Sequence, residues 1–140
     1  MAEPVSQAWS RETPWRQGHL LKMETACRLG LTDTDPDNCT VVISHDCDLA
    51  NSNLTAEPHI EVIVGKIVSK PNGSFMWGKS PRTLHLEVRR EDTRTTIELV
   101  ATNKRLISKT DLAADTPDST YSIGPMCLRW VVPPLRRTIN

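Results

Sequence analysis

Val41-Val42-Ile43 is the feature that most restricts the fold of this chain. Three consecutive β-branched residues are stiff at χ1 and favour extended backbone. A short apolar run of this kind, beginning here at Cys39, reads as a strand covered on both faces. The run stops abruptly at Ser44-His45-Asp46-Cys47-Asp48, five successive residues with polar or reactive side chains. No other part of the sequence concentrates as much chemistry.

The rest of the chain repeats the β theme. His59 to Ser69 reads as a long strand, with Ile60, Val62, Val64 and Val68 alternating with a more mixed set. Thr83, His85, Glu87 and Arg89 alternate with Leu84, Leu86 and Val88. After the polar turn 90–94 a further strand is expected over Thr95–Val100, and Arg105-Leu106-Ile107 reads as another short one. Gln17–Met23 reads as a first strand opened by a glycine turn. Lys70–Ser74 contains Asn-Gly, which readily supplies the positive φ of a tight hairpin. Residues 32–38 and 51–58 carry the Asp, Asn and Pro of loops. Ser108–Ala114 begins like a helix, with a hydroxyl at the cap position and an acid in the first turn. Short strands separated by turn chemistry, with one or two short helices, point to a mainly β fold: a small antiparallel barrel or a strongly bent sheet.

A length of 140 residues fits one domain with a core of its own. One Phe, one Tyr and four Trp leave that core mainly to Val, Ile and Leu. The organisation expected is a polar arm over 1–16, whose Trp9 and Trp15 dock on the body, a β-rich domain over 17–125, and a C-terminal tail over 126–140. In the tail, Pro133-Pro134 prevents Met126, Leu128 and Val131 from continuing as a helix.

Basic and acidic residues balance at 17 each, so net charge does not select a partner. Their distribution is uneven: residues 1–60 hold four basic and nine acidic residues, and residues 61–140 hold thirteen and eight. The C-terminal part therefore carries a mild positive excess, which suits an anionic partner or simply a charged surface. There is no apolar run of membrane-spanning length and no signal-peptide pattern at the N-terminus. The four cysteines form no C-x-x-C pair, and reduced thiols in a cytoplasmic protein are expected.

Three functional readings fit the cluster at 44–48. If the strand remains extended, Ser44, Asp46 and Asp48 share one face and His45 and Cys47 the other; if it turns after Ser44, all five can converge on one pocket. In the first reading Cys47 is a nucleophile, with His45, or His59 or His85 from another element, as base and Asp48 nearby; the structural alternative is a buried cysteine at a strand end. In the second, His45, Asp46 and Asp48 bind a divalent metal with His59 or Glu61; the alternative is that the aspartates accept backbone N–H groups of the turn. No cofactor is otherwise expected. In the third, the cluster recognises a phosphate backbone together with Arg82, Arg89, Arg90, Arg94, Lys104, Arg105 and Lys109. Charged hairpin tips also serve simply to protect edges. Glu57, His59 and Glu61 open the following strand and are expected to face the Cys47 end of its neighbour. Lys109 reads as a surface residue at the start of the short helix rather than a catalytic amine.

The segments Gln-Gly-His-Leu-Leu at 17–21, Val-Val-Ile-Ser-His-Asp-Cys-Asp-Leu-Ala at 41–50, Glu-Pro-His-Ile-Glu-Val-Ile at 57–63, Pro-Arg-Thr-Leu-His-Leu at 81–86 and Leu-Ile-Ser-Lys-Thr-Asp-Leu at 106–112 resemble a family of uncharacterised bacterial and phage-associated proteins. The likeness spans most of residues 17–113, and Ser-x-x-Cys-Asp-Leu is its most specific part. It implies a mobile-element or defence-related setting and carries no activity. A more distant likeness is to the small barrels of MazF/PemK-type ribonuclease toxins, an analogy of architecture only. The resulting expectation is a cytoplasmic binding module that engages a protein or nucleic-acid partner, and no membrane, through Ser44–Asp48 with Glu57, His59, Glu61, Arg105 and Lys109. The alternative is a hydrolase or nuclease using Cys47, His45 and Asp48.

Overall fold

Five strands form one antiparallel sheet in a computed structural model of the chain, which describes residues 9–76, 80 and 82–123. They are β1 (Asn38–Val42), β2 (His59–Val68), β3 (Thr83–Arg90), β4 (Thr93–Ser108) and β5 (Tyr121–Ile123), in the order β1-β2-β4-β3-β5. Three short helices accompany them: α1 (Met23–Arg28), α2 (Asp46–Leu49) and α3 (Lys109–Leu112). The sheet is open and strongly bent, one of the two β architectures expected. The tail at 126–140 and residues 1–8 of the arm lie outside the described residues.

The bend has a local cause. Ile63 of β2 pairs with Lys104 of β4, but Gly65 pairs with Leu99, so residues 100–103 of β4 face Val64 alone. Extra residues on one strand of a pair kink it and increase the twist. Gly65 sits where the two strands close up again. A Cβ there would stand 2.6 Å from Leu99 Cδ2 and 2.7 Å from the Glu98 carbonyl oxygen, so only hydrogen fits.

Register corrects several expectations. The residues Arg105-Leu106-Ile107 are not a separate strand; they continue β4 past the irregularity and pair with β2. The β3–β4 turn is tighter than 90–94, because Arg90 already pairs with Thr93 and Glu91 takes a left-handed φ of 57°. Asn72-Gly73 does not make a hairpin. The neighbours of β2 are β1 and β4, so the chain after β2 must travel past β4 before β3 begins. Asn72 instead accepts the Ser74 N–H in a 3-10 turn over Gly73–Phe75, and its own N–H donates to His85 Nδ1 at 3.0 Å.

Alternation along β1 feeds two cores, as a strand covered on both faces requires. Val41 and Ile43 pack with Leu20, Ile63, Leu84, Leu86, Ile97 and Leu99. Val42 points the other way, to Ile60, Val62, Ile107, Leu49, Leu112 and both N-terminal tryptophans. Trp9 and Trp15 are buried, so the docking expected of them is observed.

Residues 18–21 run along the outer edge of β1. Gly18 N–H donates to the Val42 carbonyl, Val42 N–H to His19 and Leu21 N–H to Thr40. Only Leu20 with Val41 qualifies as a bridge, so the strand expected over 17–23 reduces to one residue pair. The reason lies downstream. Met23–Arg28 holds good helix formers, and turning into α1 lets Ala26 join Leu21 in the second core. Arg28 then bridges to Asp115 at 2.6 Å and donates to the Asp111 carbonyl at 2.9 Å, tying α1 to the segment that follows α3. Among the described residues no helix is long and apolar enough to cross a membrane.

Candidate functional site

The site is built where β1 ends. Ile43 N–H still donates to the Glu61 carbonyl at 3.0 Å, as a ladder residue would. At Ser44 the side chain takes over: its hydroxyl accepts the Glu61 N–H at 2.7 Å. His45 caps the N-terminal end with extended backbone, and one turn of helix follows. Asp48 and Leu49 N–H groups donate to the His45 carbonyl, and Ala50 N–H to Asp46. Of the two geometries open at the sequence level, the chain adopts the turn. Leu49 anchors it, fully buried in the second core.

The aspartates differ in use. Asp46 Oδ1 accepts the Gln17 N–H at 2.7 Å, and Gln17 Nε2 donates to the Ile43 carbonyl at 3.0 Å. Asp46 therefore satisfies a main-chain amide, but one from the N-terminal segment rather than from its own turn. Asp48 faces Glu57 and the region around the start of β2.

Lys109 lies beneath this turn and is fully buried, which corrects its expected place on the surface. Its ammonium donates to the Asp48 carbonyl at 2.7 Å and to the Asn51 carbonyl at 2.9 Å. The nitrogen also sits 5.8 Å from the centre of the Trp9 ring, while Trp9 Nε1 donates to the Leu49 carbonyl at 2.6 Å. The terminal carbonyls of a helix lack partners within it and carry partial negative charge. An ammonium and an indole N–H supply the missing donors. Burial pulls the Lys109 amine below its ordinary range, and the nearby negative charges of Glu57 and Asp48 oppose that shift.

Ser44, Asp48, Glu57, Pro58, His59, Glu61 and Leu106 line a single open cleft of about 280 Å³. The convergence expected between the end of β1 and the start of β2 is thus present for Ser44, Asp48, Glu57, His59 and Glu61. It is not present for His45, Asp46 or Cys47, which lie outside the cleft lining. Cys47 is exposed on α2, and no hydrogen bond joins it to an imidazole or a carboxylate among the described residues. Nor do any three His, Cys, Asp or Glu side chains among the described residues gather as a metal-binding group. The Arg105 guanidinium is exposed and folds back onto the Lys104 carbonyl at 2.9 Å. Arg89, Arg90 and Arg94 cluster at the hairpin end of β4, whereas the cleft adjoins its other end. Those three arginines and the 44–48 turn therefore do not form one surface, whereas Lys109 meets the turn from beneath, through its main-chain carbonyls.

Two contributors escaped sequence reasoning. Leu106, 66% exposed, is a large apolar side chain open to solvent at the cleft. The adjacent pair Leu106-Ile107 held the signal, since neighbours on a strand point to opposite faces and only one can enter the core. The other is the clamp of Trp9 on the Leu49 carbonyl: docking of Trp9 on the body is expected from the sequence, but its target is not.

No protein-family model matches the sequence, and no curated protein or solved structure is significantly similar to it.

Proposed function

We propose that this chain is a small binding module that engages a protein partner through cationic side chains, using the cleft between α2 and the start of β2. One observation carries the reading: Asp48, Glu57 and Glu61 meet around a cleft of about 280 Å³ that also exposes Leu106. Carboxylates in a concave wall attract ammonium and guanidinium groups and repel phosphate, so a basic protein segment is favoured over nucleic acid. The wall formed by α2 is held from below by Lys109 and Trp9, and a wall already ordered loses less freedom on binding. The mobile-element or defence setting rests on the Ser-x-x-Cys-Asp-Leu resemblance alone, and the cytoplasmic location on the pattern of cysteines. A hydrolase or nuclease would need nucleophile and base directed at one substrate; Cys47 and His45 lie outside the cleft that holds His59 and Asp48.

Titration of the protein with arginine- and lysine-rich peptides, and separately with a single-stranded RNA oligomer, tests this reading. The peptides are expected to bind, less tightly as salt rises, and the Asp48→Asn/Glu57→Gln double variant is expected to lose them. Binding of RNA with a steep salt dependence, or peptide binding unchanged in the double variant, overturns it.

A further inference from the structure

We infer that Leu106 selects the partner segment, by seating an aliphatic side chain that the segment carries next to its lysine or arginine. The inference rests on the protein-binding reading above and narrows the ligand from any cationic segment to one that pairs charge with an apolar residue. The juxtaposition that carries it is an exposed leucine sharing one cleft with the Asp48 and Glu57 carboxylates.

The sheet explains why Leu106 is exposed. Neighbours on a strand point to opposite faces. Ile107 enters the second core, so Leu106 takes the other face. There it stands opposite Glu61 in the β2–β4 pair, and side chains directly opposite share a face with Cβ atoms about 4.5–5.5 Å apart. The first core reaches Ile63 on β2 and Ala101 on β4 and stops short of Leu106. A lone exposed leucine is ordinary on a protein surface. Two observations set this one apart. It is the one large hydrophobic side chain that is exposed among the described residues. It also lies in a concave lining together with Asp48, Glu57 and Pro58, and the Pro58 carbonyl is fixed by the Lys109 N–H at 2.9 Å.

The chemistry of the occupant follows. Ion pairs in an open cleft gain little, because water solvates both partners. The carboxylates therefore draw in cationic segments without choosing among them. Covering Leu106 supplies the choice. An aliphatic side chain laid on it leaves water, and it also excludes water from the charge contacts beside it, which strengthens them. Stable interfaces combine an apolar centre with a polar rim in this way. The cleft volume of about 280 Å³ falls just short of the ~300–1,000 Å³ of small-molecule pockets, so it takes side chains of a partner rather than a whole helix. Two copies meeting Leu106 to Leu106 would bring their Asp48 and Glu57 carboxylates together, which disfavours a second copy as the occupant.

The probes are three short peptides of equal length: lysine–leucine, lysine–glycine with the same number of lysines, and glutamate–leucine. Titration calorimetry at several temperatures gives their affinities and heat-capacity changes. The lysine–leucine peptide is expected to bind about tenfold or more tightly than the lysine–glycine peptide, the scale of covering one leucine side chain. Its heat-capacity change is expected to be the more negative, as burial of apolar surface requires. The glutamate–leucine peptide is expected not to bind. Leu106→Ser alters an exposed side chain, so the variant should keep the native circular-dichroism spectrum and bind the two lysine peptides alike. Equal affinity of the two lysine peptides for the parent, with both lost in Asp48→Asn/Glu57→Gln, overturns the inference and leaves the cleft reading standing. A preference for leucine that survives Leu106→Ser does the same. If neither lysine peptide binds, or if glutamate–leucine binds as tightly as lysine–leucine, both fall. Concentration-dependent self-association that Leu106→Ser abolishes overturns the inference in favour of a second copy.

Discussion

The Lys109 ammonium donates to the Asp48 carbonyl at 2.7 Å, joining the start of α3 to the polar turn that ends β1. The same nitrogen holds the Asn51 carbonyl, and the Lys109 N–H holds Pro58, so one residue sets three points of the wall and floor of the cleft. A buried cation is costly unless its donors are used. Here they are used to close a helix end, which makes Lys109 a structural organiser of the site rather than a catalytic amine.

Lys109→Met retains the aliphatic stem but leaves the Asn51 carbonyl without its ammonium donor and the Asp48 carbonyl with only the long 3.3 Å bond from the Asn51 N–H. It is expected to lower stability by about 2–4 kcal/mol, since removing one partner of a buried polar set leaves the other uncompensated. Urea unfolding of the variant measures this. A loss below the error of that measurement would mean that the carbonyls are satisfied by water instead.

The cysteines should differ sharply in reactivity. Cys47 is exposed, whereas burial pushes the Cys39 thiol up to about 12. At neutral pH an alkylating reagent should label Cys47 in the native protein and leave Cys39 unmodified until the chain unfolds. Mass spectrometry of partially labelled protein checks the order.

The same burial predicts a pH dependence. The unfolded Cys39 thiol ionises near 9.0 and the folded one near 12, so the folded state binds more protons between those values. Its contribution is complete below about pH 9 and is lost as pH rises toward 12. Stability should therefore fall across that alkaline window, by less in Cys39→Val. Equal slopes for both proteins would place the alkaline loss elsewhere.

Gly65→Ala should destabilise by about 1–3 kcal/mol, because its Cβ would collide with the Glu98 carbonyl and the Leu99 side chain. The comparison is Gly73→Ala, where nothing lies within 4 Å of the added carbon. Thermal melts of the two variants should separate clearly; similar melts would show that β4 can shift away at the bend.

At acidic pH the bridge of Asp115 to Arg28 supplies a further test. The guanidinium hydrogen bond holds the Asp115 carboxyl below its ordinary 3.8. Its stabilisation is present above that value and lost as pH falls through the lower, folded one. Asp115→Asn should accordingly be less stable than the parent at neutral pH, and the two should converge below about pH 3.8. A gap independent of pH would assign the effect to packing.

Much of the fold was legible along the chain. The alternation of Leu84, Leu86 and Val88 placed β3, and the β-branched run at 41–43 placed a strand buried on both faces. The meeting of residues 57–61 with the end of β1 followed from the short loop between them. Less legible were features that depend on distant segments. The donors that hold Lys109 inside are matched by carbonyls 61 and 58 positions away in sequence, and nothing local reverses the usual preference of lysine for water. Cys47 and Asp48 are adjacent in sequence, yet the single turn of α2 sends one to solvent and the other to the cleft.

Read alone, the amino-acid order determined which stretches are extended, which of their faces are apolar and where polar chemistry gathers, because those properties depend on residues a few positions apart. Only the tertiary arrangement decided that β4 lies beside β2 and that Leu106 stands with three carboxylate residues at the cleft. Periodicity specifies the face a strand buries. The strand that comes to lie next to it is selected by the packing of the whole chain.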